Sequence, residues 1–245
     1  MLPELYHAHH SRQMEDLPFW LNLAARQESP VLELGCGTGR VLVPLARAGY
    51  IVIGIDHDPG MLRYLKSKFQ PVSGSGPLLI LADISKFSLG RQFPLVIVPC
   101  NTLSTLGHTS RKDCLSCVRR HLQPGGLFAA SLPDPALIAS HPARAGIELE
   151  DEFLHPTTGN PVQVSSDWRL SGNKFTVTWL YDHLFPDGRV ERYKLEASHY
   201  LVSLDELLAE VQAAGMRIRE MYGDFDCSAY APGAPQLILL AEAVY

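Results

Sequence analysis

The segment Glu33-Leu34-Gly35-Cys36-Gly37-Thr38-Gly39-Arg40 is the part of this chain best suited to meet a ligand. Glycines spaced G-x-G-x-G behind an apolar run let a ligand touch the backbone, and open parallel sheets take their ligands beyond the carboxyl ends of the strands. Asp56 and Asp83 close the next two apolar runs, so three acids stand at three successive run ends. The dinucleotide fingerprint G-x-G-x-x-G is not matched, because Arg40 occupies the place of its third glycine. Other groups with reactive side chains carry weaker signals. His7, His9 and His10 have no carboxylate or cysteine set at ligand spacing nearby, so they read as solvated side chains on a mobile arm. Cys114 and Cys117 have C-x-x-C spacing but no second pair, and read as buried core thiols on one helix face. Trp179, Tyr181 and His183 alternate along one run and share one face of a strand.

The elements that must position these residues follow from the apolar periodicity. Val31 to Leu34, Tyr50 to Ile55, Leu78 to Leu81, Leu95 to Val98 and Gly126 to Leu132 are short apolar runs separated by helical spacing. The helices fall at Val41 to Ala48, at Asp58-Pro59 through Phe69, and at Lys112 to Leu122. Residues 11–27 read as a further amphipathic helix with Pro18 opening a new segment inside it. After Asp134 the period changes to two, with turn signals at Thr158-Gly159-Asn160, Ser171-Gly172-Asn173 and Pro186-Asp187-Gly188, which predicts antiparallel hairpins. Ser203 with Glu206 three residues on caps another helix, ended by Gly215, and Met216 to Tyr222 and Leu237 to Val244 supply two last strands. The pattern predicts an α/β, doubly wound core with an antiparallel β insertion.

Composition bounds the function. The chain has 245 residues, of which 21 are basic and 26 acidic, for a net charge of -5, so no positive field exists to attract nucleic acid or an anionic membrane. No apolar run approaches the ~20 residues of a membrane span, and Met1 to His10 lacks the pattern of a signal peptide. Five scattered cysteines suit a reducing compartment, and a cytoplasmic location is the expectation.

The acid two residues before G-x-G-x-G resembles the first motif of the class I S-adenosylmethionine-dependent methyltransferases. The likeness extends to Ile53-Gly54-Ile55-Asp56, to Ala82-Asp83-Ile84, to Leu122-Gln123-Pro124-Gly125-Gly126 and to Ala214-Gly215-Met216. It implies a Rossmann-like, mostly parallel seven-stranded sheet in the order 3-2-1-4-5-7-6. The implied core is residues 31–134 and 203–245, with residues 1–30 as an arm and helix over the cofactor and 135–202 as an insertion covering the acceptor pocket. The implied cofactor is S-adenosyl-L-methionine. Its methionine part would lie against Gly35, Cys36, Gly37, Thr38 and Gly39 with Glu33 orienting the amine. Its ribose would meet Asp56 and His57, and its adenine would lie near Met61, Ala82, Asp83 and Ile84. Pro99 and Cys100 would face it from the fourth strand.

Within the class, Glu15 to Trp20 and Asn101-Thr102-Leu103 resemble a bacterial group acting on small molecules, which places Tyr6 over the cofactor. The Pro-Pro-aromatic signature of base-methylating enzymes is absent after Pro99-Cys100-Asn101-Thr102, which disfavours a nucleobase acceptor. The resemblance makes Trp179, Tyr181 and His183 a roof over the acceptor. Asn101, being neutral, would orient the acceptor by hydrogen bonding, and His108, with an ordinary pKa of about 6.5, would be the base if a proton must leave. No metal is expected. Two rival readings remain at this level: a nicotinamide-dependent oxidoreductase, which Arg40 disfavours, and a cofactor-binding module without turnover.

Overall fold

The computed structural model describes residues 1–12, 14–27, 29–69 and 76–244. Its central element is the strand β1 (Val31–Leu34), all four residues of which are buried. β1 pairs in parallel with β2 (Val52–Asp56) on one side and β4 (Phe93–Val98) on the other. β3 (Leu78–Leu81) extends the sheet beyond β2, and β5 (Leu122–Leu132) beyond β4. β11 (Leu237–Ala243) runs antiparallel to β5, and β10 (Met216–Tyr222) antiparallel to β11 at the edge. The sheet order is therefore β10-β11-β5-β4-β1-β2-β3, the 3-2-1-4-5-7-6 order of the expectation.

Alternation along β1 shows how the sheet is covered on both faces. Leu32 and Leu34 point into a cluster with Leu115 and Val118 of α5 (His108–His121) and Leu207 and Val211 of α7 (Leu204–Ala213). Val31 points to the opposite cluster. That cluster holds Trp20 and Leu23 of α2 (Leu17–Gln27), Leu42 and Leu45 of α3 (Leu42–Arg47), and Leu62 and Leu65 of α4 (Pro59–Lys68). Asp58 caps α4 by accepting from Gly60 and Met61, and Ser203 caps α7 by accepting from Glu206, as the cap residues predict.

A second sheet of four antiparallel strands comprises β6 (Glu148–Leu154), β7 (Pro161–Ser171), β8 (Lys174–Leu184) and β9 (Val190–Tyr200). A short helix, α6 (Pro135–Ala139), precedes it. Among the described residues no helix is long and apolar enough to cross a membrane.

Several boundaries differ from the expectation, among them β5, which starts at Leu122 rather than Gly126. The first ten residues are not a mobile arm: Leu2–His10 form a helix, α1, whose Leu5 is fully buried against Val162, Val164 and Tyr181 of the second sheet. His9 is buried as well, so the polar-looking histidine run hides a docking face. The helix expected over 11–27 starts at Leu17. α5 starts at His108, four residues early, because Gly107 lies extended and opens the helix there.

α5 and α7 are joined by a buried ion pair. Arg111 and Glu210 are 2% and 5% exposed, and the guanidinium meets the carboxylate through two bonds of 2.6 and 2.9 Å. Removing one partner strands the other charge in the core, so Glu210→Ala should cost ~3 to 5 kcal/mol of stability. Denaturant unfolding would check this, and Arg111→Met combined with Glu210→Leu should recover most of the loss. A single-variant cost below about 1 kcal/mol would show that the pair is solvated.

Candidate functional site

The turn after β1 is shaped by what surrounds it. Gly35 has φ +73°, and a Cβ there would meet Thr102 Cγ2 at 2.3 Å, so both the backbone conformation and the contact exclude a side chain. Gly37, at φ +52°, has open space where a Cβ would sit, and its N–H donates to Asp56 Oδ2 at 2.7 Å. The other Asp56 oxygen accepts from Asp58 N at 2.8 Å, which fixes the carboxylate at the end of β2. Asp83 accepts from both the N–H and the hydroxyl of Ser85, and these bonds hold its carboxyl below the usual range, as an ionised acceptor. Glu33 is different. It is 2% exposed, one of its oxygens has no partner, and burial pushes its carboxyl well above the ordinary value.

After β4, Cys100 and Asn101 both adopt left-handed backbone conformations, at φ 57° and 59°. Consecutive non-glycine residues there are uncommon and hold strain. The turn Thr102–Thr105, a single 3₁₀ turn, is tied back by Thr102 Oγ1 to Pro99 O at 2.8 Å and by Ser104 Oγ to Asn101 O at 2.6 Å. The result aims Asn101 Oδ1 into a buried position with no partner.

These strand ends open into one cavity of about 1070 Å³, which suits a nucleotide-sized ligand with a second molecule beside it. Its walls include Glu33, Gly35, Cys36, Gly37 and Thr38 of the first turn. Asp56, His57 and Met61 line it beside β2, and Asp83 and Ile84 beyond β3. Cys100 and Asn101 line it after β4, Tyr6 from α1, and Trp179 from β8. Gly39, Ala82 and Pro99 stand behind the wall. Gly39 packs on Leu65 and Val43, Ala82 N donates to Asp56 O, and Pro99 O accepts from the 3₁₀ turn.

Three of the expected acceptor-side residues are corrected. Tyr181 is fully buried and bonds His9 Nδ1 through its hydroxyl at 3.2 Å, beneath α1 rather than over the cavity. His183, also fully buried, stacks on His155 at 4.4 Å with its Nε2 against Thr158 Oγ1. Strand alternation put them on one face correctly, but α1 covers that face at Tyr181, and His155 and Thr158 of the loop after β6 cover it at His183. His108 is not a loop residue beside the cavity; its Nδ1 meets Glu210 at 2.9 Å and Glu206 at 3.1 Å on α7.

Other wall residues were given no place on a ligand site by the sequence. Arg40 pairs with Asp16 through bonds of 2.6 and 2.5 Å, and Asp16 also accepts from Trp20 Nε1, so the arginine clamps α2 to the turn. His10 lines the cavity with a buried, unpartnered Nε2, and burial lowers its pKa to about 3. Gln236 Oε1 is likewise unpartnered. Ser131, Glu150 and His199 complete the wall from β5, β6 and β9. Only the assembled fold brings these distant positions together. Glu33, His10, Asn101 and Gln236 line the cavity and each keeps one buried, unpartnered polar atom, an arrangement that fits a polar ligand carrying several hydrogen-bonding groups.

Residues 31–126 match the model of a family described as "Methyltransferase domain". A Bacillus subtilis protein named "Putative methyltransferase YqeM" is 31% identical over 114 residues, 44% of this chain and 44% of that protein, so the chain spans under half the length of that relative. A crystal structure of an S-adenosylmethionine-dependent methyltransferase from Clostridium acetobutylicum superposes with a TM-score of 0.82 at 15% identity, covering 98% of this chain and 97% of that one. The sugar N-methyltransferase KedS8 from a Streptoalloteichus species gives 0.77 at 18% identity, covering 98% and 92%. At those identities the likeness to the solved structures is one of fold. Residues 31–126 thus match a methyltransferase domain, and the sheet order is that of the S-adenosylmethionine-dependent methyltransferase fold.

Proposed function

We propose that the protein transfers the methyl group of S-adenosylmethionine to a small-molecule acceptor. The observation that carries this reading is the set of three acids, Glu33, Asp56 and Asp83, at three adjacent strand ends on one cavity with the open Gly37 between them. When bound, the cofactor supplies a methyl group already activated on a sulfonium. The chain's task is then to align an acceptor behind that group and to exclude water. Asp56 is fixed to accept from ribose hydroxyls and Asp83 from the adenine amine, while Glu33 faces the cationic amino group. Residues 1–30 cover this half. Residues 135–202 cover the other half, where Trp179 and Phe175 offer ring faces and Glu150 a carboxylate. KedS8, a sugar N-methyltransferase by name, makes amine-bearing small molecules the first acceptors to try.

Calorimetric titration with S-adenosylhomocysteine should show binding, and NADH should show none. Asp56→Ala should weaken the former by ~1 to 3 kcal/mol, since a charged acceptor of hydrogen bonds is lost. Unchanged affinity in a folded variant would remove Asp56 from the site.

The Glu33 carboxyl adds a pH dependence. Burial raises it in the free protein, so it holds a proton at pH values where an ordinary carboxyl is ionised. A cationic amine bound beside it favours the carboxylate, so binding should expel a proton, and affinity should fall as pH drops from the raised pKa towards the ordinary range. Titrations in buffers of different ionisation enthalpy read that proton directly. Equal heats in all buffers would place the amine elsewhere.

Trp179→Ala should impair acceptor use and leave S-adenosylhomocysteine affinity intact. Tyr181→Ala should instead undock α1, with a stability loss of ~3 to 5 kcal/mol, as for other emptied aromatic sites. Normal stability of the Tyr181 variant would refute the docking role.

A further inference from the structure

We propose that His199 takes the proton from the methyl acceptor and that the acceptor's nucleophile is an amine, an inference that rests on the methyltransferase reading. His199, on β9, lines the cavity beside the 3₁₀ turn. Its Nδ1 lies 2.8 Å from Ser104 Oγ. Ser104 is 2% exposed, and its hydroxyl donates to Asn101 O at 2.6 Å, so its oxygen is left to accept. Nδ1 must therefore carry the hydrogen, which leaves the lone pair on Nε2. The Asn101 carbonyl also favours the charged form of the ring, so a proton gained at Nε2 is supported from behind. Ser104 is a positioning residue here, setting the tautomer as the third member of a triad does.

The other histidines on this wall are unsuited. His10 is held near a pKa of about 3 and cannot retain a proton, and His57 stands beside Asp56 at 3.7 Å on the cofactor half. Burial also lowers the His199 pKa, which keeps the ring neutral, as a base must be, at neutral pH. The elements packed around it bring little charge. Phe175 faces it across β8, the turn brings only hydroxyls and backbone, Glu196 pairs with Lys194, and Lys174 lies over the Tyr200 ring.

The same turn that holds Ser104 holds Asn101, whose Oδ1 is buried and unpartnered. Asn101 and His199 line the same wall, and each brings an acceptor that one hydrogen on an incoming atom would satisfy. A neutral primary amine has two as well as its lone pair; a hydroxyl has one and a carboxylate none. The charge of the walls agrees, because Arg40 is the single Lys or Arg among the described lining residues and is paired with Asp16, whereas Glu15, Glu150 and Glu196 line the same space. In the transfer, the amine lone pair forms the N–C bond while the S–C bond breaks with its pair leaving on sulfur as a thioether. As that bond forms, one N–H proton passes to His199 Nε2.

Two measurements test this. Nitrogen-15 NMR of the histidine-labelled protein with S-adenosylhomocysteine should show His199 neutral at pH 7 with the hydrogen on Nδ1; an Nε2–H or charged ring overturns the proposal. Turnover of S-adenosylmethionine should be followed with primary amines, such as amino sugars, and with the matching alcohols. His199→Gln should lose roughly 10²- to 10⁴-fold in rate with cofactor-product affinity unchanged. Wild type should lose rate as pH falls through the His199 pKa, below about 6.5, a limb that His199→Gln abolishes and Ser104→Ala shifts. A loss under about threefold overturns the base, and preference for the alcohols overturns the amine. Absence of S-adenosylhomocysteine binding in wild type would instead sink the methyltransferase reading itself.

Discussion

The docking of one nine-residue helix, α1, ties the two sheets together over a shared cavity. Its His7 Nδ1 lies 3.0 Å from Thr38 Oγ1 in the glycine turn, and its Glu4 lies 3.8 Å from Lys68 of α4. On the other side Leu5 enters the apolar cluster of the second sheet, and His9 reaches Tyr181 and Glu150. Thr157, in the loop between β6 and β7, closes the same seam by donating to Glu4 at 2.6 Å. A helix this short gains little from its own backbone. Its order comes from burial on both sides, so α1 depends on the turn below it and the second sheet above it together.

Beneath that helix the central sheet solves a geometric problem common to parallel strands. Their carboxyl ends leave backbone groups pointing at one edge, and whatever lies there must satisfy them or bind something that does. Here the glycine turn, the capping Asp58 and the tied-back 3₁₀ turn satisfy the backbone, which frees side chains such as Glu33 and Asn101 to remain unpaired. The left-handed pair Cys100-Asn101 is where the strain of doing so is concentrated.

The core was legible because its signals are local. Val31 to Leu34, Leu78 to Leu81 and Met216 to Tyr222 are strands at those residues, and the turns of the second sheet fall at its glycines. The acids at the strand ends were legible for the same reason. What failed depended on tertiary contacts. Three histidines in ten residues look solvated until Tyr181 and Glu150 arrive from positions more than a hundred residues away. His108 looked free until α7 presented Glu206 and Glu210. Ser104 and His199, ninety-five residues apart, have no pattern that links them; only the turn after β4 and the end of β9, brought together, make a pair.

The acidity of the cavity bears on the end of a catalytic cycle as well as on its chemistry. Donor and product of methyl transfer differ chiefly by one methyl group and by the charge at sulfur, positive before and neutral after. Walls carrying many carboxylates and one already-paired guanidinium discriminate between those two states by electrostatics alone. On the proposed reading, the walls therefore hold the sulfonium donor more tightly than the neutral thioether left after transfer.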